Sequence, residues 1–256
     1  MRWLFAVVLM TMWCVPADAV TQGQPTAQEQ WEMRVGAQEY QQLQRQGVIL
    51  TSSPYYRVLT PIGERIARVA NMQYFAPFHF ILVRDSQPNA FAVPGGNVYV
   101  TTAMMTFAKS REELAGVLCH ETSHDIHHDV YNLAVKNQRV QIYAGIADLL
   151  LGSHSLMTQQ MIGLGANLES LNFSREVESA ADHTGAFTCA AAGDNPWGMV
   201  WLFKRFETKP SGVPLEMLSD HPRDDHRVTD LENLMRSDPA TFGRFTDDPS
   251  KATPLT

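Results

Sequence analysis

The chain has 256 residues, of which 45% are hydrophobic and 18% are charged, and this balance is typical of ordinary globular proteins rather than disordered or fibrous ones. Its 20 Lys and Arg residues against 27 Asp and Glu residues give a net charge of −7, so no global positive field exists to attract nucleic acid or anionic lipid. Three cysteines are too few for a disulfide framework, but a chain of this length can bury a core that supports a demanding site.

The first residues have the pattern of a secretory signal. A positively charged start precedes an apolar run from Trp3 to Val15, and a small-residue cleavage motif ends at Ala19. We expect cleavage after Ala19, which leaves residues 20–256 as a periplasmic or secreted mature domain. The apolar run is shorter than the roughly 20 residues needed to span a bilayer, which favours a cleaved signal over a membrane anchor.

Two amphipathic helices are predicted next. Apolar side chains recur at helical intervals over Thr26 to Gln46, and Gly47 ends this segment. A second helix is predicted to follow Pro61, because Ile62, Ile66 and Val69 share one helical face.

The pattern then changes to that of a small sheet. Phe78 to Val83 and Val98 to Val100 are strand-like, and the turn-rich Pro94 to Asn97 lies just before the second run. The second run is expected to be either an exposed edge strand that can pair with an extended substrate, or part of an ordinary hairpin.

The second half of the chain is predicted to be mostly helical. Ser110 followed by Glu113 is a capping-box pattern, which predicts a helix from Arg111 through His124. Later helices are predicted over Val140–Leu150, Ser174–Ala191, Pro196–Phe206 and Asp224–Arg236. The polar residues from Ser237 onward are expected to be loose.

The strongest chemical signal is His120-Glu121-Thr122-Ser123-His124. On a helix, histidines at i and i+4 project from one face, so His120 and His124 can bind one Zn²⁺ while Glu121 reaches the attacking water. The alternative is a pair of surface histidines on a structural helix.

A catalytic zinc usually has a third protein ligand. His127 and His128 lie roughly 10–12 Å along the helix axis from His120, too far to share an ion. Glu178 and Asp182 are again at i and i+4, so we expect Glu178 to bind zinc and Asp182 to accept the outer N–H of a ligating histidine. Without the first motif, such an acidic pair would be a solvated helix face.

These motifs resemble the zinc metallopeptidases of family forty-eight, a gluzincin group that includes HtpX-, Oma- and BepA-type proteases. The similarity runs from Asn89 to Arg227. Its elements are Asn89 to Gly96, the HExxH run, the pattern SRxxExxAD from Ser174 to Asp182, and His221-Pro222 followed by Arg227. The chain departs from the family at His128-Asp129, where Arg-His is frequent; this is expected to change a helix end and leave the ligands intact.

The resemblance implies an α+β, mostly helical zincin fold with a small β-sheet and one zinc per chain. It also implies that Glu121 transfers a proton from water to the leaving amine. His221 and Arg227 are then candidates to stabilise the oxyanion. His221 has a second possible role, in which it fills the open position on zinc and keeps the enzyme latent.

Two features allow two interpretations each. Cys119 and Cys189 could form a disulfide in an oxidising compartment or stay as buried thiols. The apolar stretch 142–168 is interrupted by polar residues and is shorter than a membrane hairpin needs, so a packed helical pair or a flap in peripheral contact with a membrane is favoured over a span.

The expected function is that of an extracytoplasmic zinc endopeptidase that acts on polypeptides, with misfolded envelope proteins as substrates by analogy with the family. The first alternative is a chaperone-like zinc scaffold of the same fold with little proteolysis. The second is a zinc hydrolase that acts on small esters or amides. The sequence indicates no nucleic-acid partner and no particular oligomeric state.

Overall fold

A computed structural model describes residues 24–137, 173–207, 221 and 225–255, and the structural statements below refer to this part of the chain. The predicted signal over 1–19, the predicted helix over 140–150 and the apolar stretch 142–168 lie outside the described residues. Within the described ranges, no helix combines the length and apolar character that crossing a membrane requires.

The described elements are mostly helices with one three-stranded sheet, which confirms the predicted α+β class. In chain order they are α1 (Ala27–Gln46), α2 (Tyr56–Ala70), β1 (His79–Val83), β2 (Ala90–Val93), β3 (Asn97–Thr101), α3 (Thr102–Phe107), α4 (Arg111–Ile126), α5 (residues 129–137), α6 (Arg175–Ala192), α7 (Trp197–Glu207), α8 (Asp225–Ser237), α9 (Pro239–Phe242) and a 3₁₀ turn (Pro249–Lys251).

The sheet has the strand order β1-β3-β2. Strand β1 runs parallel to β3, with His79 opposite Asn97, and β2 runs antiparallel to β3, with Ala90 opposite Val100. The prediction of an exposed edge strand over Val98 to Val100 is therefore wrong, because β3 is paired on both sides and these residues are fully buried. Strand β3 instead forms a hairpin with β2, which is the other interpretation, and within the described residues β1 and β2 are the outer strands of the sheet.

Two other predictions need correction. Helix α2 begins at Tyr56, five residues before Pro61, and includes the proline together with the fully buried Leu59, so Pro61 does not mark the start of the helix. The segment after Ser237 is not loose. Its Phe242 and Leu255 are buried, since tertiary contacts anchor residues whose spacing shows no local periodicity.

Helix α4 lies at the centre of the domain, packed against α6 and α7. Helix α6 lies close to α4 at Gly185, where an added Cβ would lie 3.2 Å from the backbone nitrogen of His120. Of the small residues Ser179 to Ala181, which precede Gly185 on α6, only Ala181 is buried. Gly185 thus lets α6 bring its carboxylates next to the histidines of α4.

The Cys119–Cys189 pair forms a disulfide that joins α4 to α6, with 5.8 Å between the Cα atoms. Cys119 directly precedes His120, so the crosslink fixes the two helices beside the candidate site. Of the two interpretations of these cysteines, the structure has the disulfide.

Replacing both cysteines with alanine is expected to lower the free energy of unfolding by about 2–4 kcal/mol, because the crosslink restricts a long loop of the unfolded chain. Urea unfolding monitored by circular dichroism measures this. Wild-type protein in excess reductant is the control and should unfold at a similar urea concentration. Equal midpoints for the oxidised wild type and the double variant would contradict the prediction.

Candidate metal centre

Helix α4 carries the predicted metal motif through the interior of the domain. The Ser110 hydroxyl caps it by accepting a hydrogen bond from the Glu113 N–H at 3.1 Å. Nearly every residue after the first turn is buried, so α4 has no solvated face there. The side chains of His120, Glu121 and His124 are therefore removed from water and require polar partners or a metal ion.

Four buried side chains converge at one point. The ligand atoms of His120, His124, Glu178 and His221 all lie within 4.8 Å of one another. The Nε2 atoms of His120 and His124 are 3.2 Å apart, and Glu178 carboxylate oxygens lie 3.5 Å and 3.7 Å from them. A tetrahedral zinc with bonds of about 2.0–2.1 Å holds its ligand atoms about 3.3 Å apart, so this donor set fits the ion.

The charges around the cluster also favour a cation. Burial lowers the pKa of His124, and it lowers the pKa of His221 to about 4. Burial would also lower the pKa of His120, but the carboxylates of Asp182 and Glu178 outweigh it and raise this pKa to about 10. The pKa of Glu178 stays low because the neighbouring histidines outweigh its burial. The same negative charges that favour the protonated form of His120 would favour a divalent ion at the cluster, because both are cations.

Asp182 and Arg227 form a second layer behind the cluster. Asp182 Oδ1 lies 3.0 Å from His120 Nδ1, the position expected of an acceptor for the outer N–H. The Arg227 Nε and Nη2 atoms each donate to Asp182 at 2.7 Å, and Nη1 lies 2.8 Å from Glu178 Oε2. Three nitrogens of the Arg227 guanidinium thus contact the carboxylates of Asp182 and Glu178. Its predicted oxyanion role would require one of these contacts to be released.

Glu121 lies between the cluster and the sheet. Its Oε2 accepts a hydrogen bond from the Ala92 N–H of β2 at 3.2 Å, and its Oε1 lies 3.5 Å from His221 Nε2. The predicted proton-transfer group is therefore held beside the edge strand.

His221 is part of the donor cluster. Its Nδ1 lies 2.8 Å from Glu178 Oε1 and 3.2 Å from His120 Nε2. This geometry corresponds to the second role considered for His221, in which its imidazole takes the fourth position on the metal. No periodic pattern in the sequence links residue 221 to α4, and only the family's His-Pro element indicated it.

The family model "Peptidase family M48" matches residues 57–235. The chain belongs to peptidase family M48. The match includes all four residues of the cluster and confirms the resemblance drawn from the motifs. Zinc is accordingly the metal expected in this donor set.

Curated relatives include a beta-barrel assembly-enhancing protease of Yersinia pestis, which is 29% identical over 79% of this M48 chain and 43% of its own length. The protein of that name in Escherichia coli K12 is 27% identical over the same shares. The mitochondrial metalloendopeptidase OMA1 of Schizosaccharomyces pombe is 29% identical over 60% of this chain and 45% of its own length. The chain thus spans less than half the length of these relatives.

Sequence reasoning missed two residues around His124 in this M48 site. Asp129 Oδ2 lies 2.8 Å from His124 Nδ1, and the Phe173 ring stacks on the imidazole at a centroid distance of 4.5 Å. The carboxylate five residues after the second histidine was a usable signal, but a straight helix would point it away. His127 and His128 lie outside the cluster, as their axial distance from His120 predicts.

Proposed function

We propose that this chain is a zinc-dependent endopeptidase that hydrolyses peptide bonds in polypeptide substrates. The observation that carries the proposal is the buried donor set of His120, His124 and Glu178, with Glu121 directly beside it. These three residues would hold one zinc ion per chain. Such a set on two adjacent helices, with a carboxylate placed for proton transfer, is the arrangement of a metallopeptidase.

The reaction divides between the metal and the protein. Zinc in this site would lower the pKa of a water molecule toward about 7 and polarise the scissile carbonyl. Glu121 accepts the proton of the attacking water and transfers it to the leaving amine. The Ala92 N–H holds the Glu121 carboxylate in place. The Asp182 carboxylate lies 3.0 Å from Nδ1 of His120 and fixes the orientation of that imidazole.

Strand β2 supports extended polypeptide as the substrate class. Within the described residues β2 pairs only with β3, and its Ala92 already contacts the candidate base. A substrate backbone that pairs with this edge would bring a peptide bond to Glu121. Recognition through backbone hydrogen bonds selects an extended conformation more than a sequence, so unfolded proteins are the expected substrates.

The test is zinc-dependent hydrolysis of unfolded casein by the purified protein. We expect cleavage with one zinc per chain, loss of cleavage on chelation, and recovery when zinc is restored. Cleavage of small esters or amides but not of casein would favour the non-proteolytic hydrolase.

A chaperone-like zinc scaffold is the second candidate. It is favoured by the contacts of His221 with His120 and Glu178, because with zinc bound its Nδ1 would fill the position that hydrolysis needs open. Binding of unfolded casein without cleavage, in protein that holds one zinc per chain, would support it.

We expect His221→Ala to increase casein hydrolysis, because the donor cluster would lose the group at its fourth position. If His221 instead donates to the developing oxyanion, turnover should fall by about 10²–10³-fold. Initial rates of casein hydrolysis, measured on protein of known zinc content, separate these roles, because the first predicts a faster rate and the second a slower one. His226→Ala, an exposed histidine on α8, is the control. A rate equal to that of the wild type would remove both roles.

An extracytoplasmic location and misfolded envelope proteins as substrates complete the proposal. Disulfides persist in oxidising compartments, so the Cys119–Cys189 bond supports this location together with the signal predicted over residues 1–19. N-terminal sequencing of the mature protein from a periplasmic or culture fraction is expected to start at Val20. Full-length protein retained in the cytoplasm would contradict it.

A further inference from the structure

The chain makes an unusual turn directly after the metal helix. Helix α4 ends at Ile126, and His128 has a φ of +57°, the left-handed region that residues other than glycine rarely adopt. Helix α5 then starts at residue 129. On an uninterrupted helix, Asp129 would project about 140° away from His124, since successive residues are about 100° apart. The turn instead places Asp129 Oδ2 2.8 Å from His124 Nδ1.

Contacts from outside α4 hold this turn. The His128 Nδ1 lies 2.8 Å from Glu32 Oε1, and its ring packs against Tyr74 at a centroid distance of 5.4 Å. Glu32 is buried and also accepts a hydrogen bond from the Tyr74 hydroxyl at 2.8 Å. Glu32 belongs to α1, which precedes the region matched by the family model. These contacts stabilise a backbone conformation that the local sequence disfavours.

From this geometry we infer that Asp129 is a positioning residue for the metal ligand His124. This rests on the proposed zinc site. An acceptor on Nδ1 selects the tautomer with its proton on that nitrogen, which leaves the lone pair of Nε2 facing the cluster. Asp129 thus does for His124 what Asp182 does for His120. His128 and Asp129, which stand where Arg-His is frequent in the family, therefore help to position the ligand His124 as well as altering a helix end.

The test is the zinc affinity of the purified apoprotein, measured by competition with a chromophoric chelator. Asp129→Asn is expected to weaken zinc binding by about 10–100-fold, the usual effect of losing a carboxylate behind a ligating histidine. Asp129→Glu should recover part of this loss, because it restores the charge. The matched control is Asp125→Asn. Asp125 is a buried carboxylate on α4, next to His124, and its Oδ2 accepts from the Gly96 N–H at 2.9 Å, a bond that an amide oxygen can keep.

A second measurement distinguishes a change at His124 from a general loss of folding. Long-range ¹H–¹⁵N spectra of histidine-labelled apoprotein should show the Nδ1–H tautomer for His124 in the wild type and a loss of this preference in Asp129→Ala, which has no acceptor at this position. If Asp129→Asn binds zinc as tightly as the wild type, and the wild type binds one zinc per chain, the inference about Asp129 is wrong while the proposed zinc site stands. Failure of the wild type to bind zinc would overturn the proposed site as well.

Discussion

Replacing Glu121 with glutamine is expected to reduce casein hydrolysis by about 10²–10⁴-fold while one zinc per chain stays bound. The amide cannot accept the proton of the attacking water, so the chemical step loses its base. The amide oxygen can still accept the hydrogen bond from the Ala92 N–H, so the local structure should persist. Initial rates on casein, zinc content and the thermal unfolding midpoint are the measurements.

The matched control is Glu112→Gln, at a partly exposed glutamate in the first turn of the same helix. It should cleave casein at the wild-type rate. Undiminished hydrolysis by Glu121→Gln would show that the general-base assignment is wrong. Zinc-loaded wild-type protein that binds casein but cleaves it no faster than Glu121→Gln would favour the scaffold.

Replacing Glu178 with alanine is expected to weaken zinc binding by more than about 100-fold, and casein hydrolysis should disappear with the metal. The carboxylate supplies the negative charge among three histidines, and its loss also leaves Arg227 Nη1 without the contact at 2.8 Å. Metal analysis after dialysis and chelator competition measure the effect. His120→Ala and His124→Ala should behave alike.

Glu176→Ala is the control for this second substitution, because Glu176 lies on the same helix and is exposed. It should keep one zinc per chain. Stoichiometric zinc in Glu178→Ala would remove Glu178 from the ligand set.

The sequence by itself determined the parts of the site that lie within single helices. The capping pattern at Ser110 marked the start of α4, and the i and i+4 spacing placed His120 and His124 on one face of it. The same spacing on α6 marked Glu178 and Asp182 as a pair on one helical face. The structure brings these side chains together, and the sequence could indicate them because helical periodicity is a local property, readable from a few consecutive residues.

Only the tertiary structure decided which groups approach from elsewhere in the chain. It made β3 the central strand and β2 the edge beside Glu121, because pairing depends on which strands meet. It placed the side chain of His221 beside His120 and Glu178, and it paired Arg227 with the carboxylates of Asp182 and Glu178. It also turned Asp129 back toward His124, through a left-handed residue held by contacts with another helix. Such placements arise from contacts between residues far apart in sequence, which no local spacing encodes.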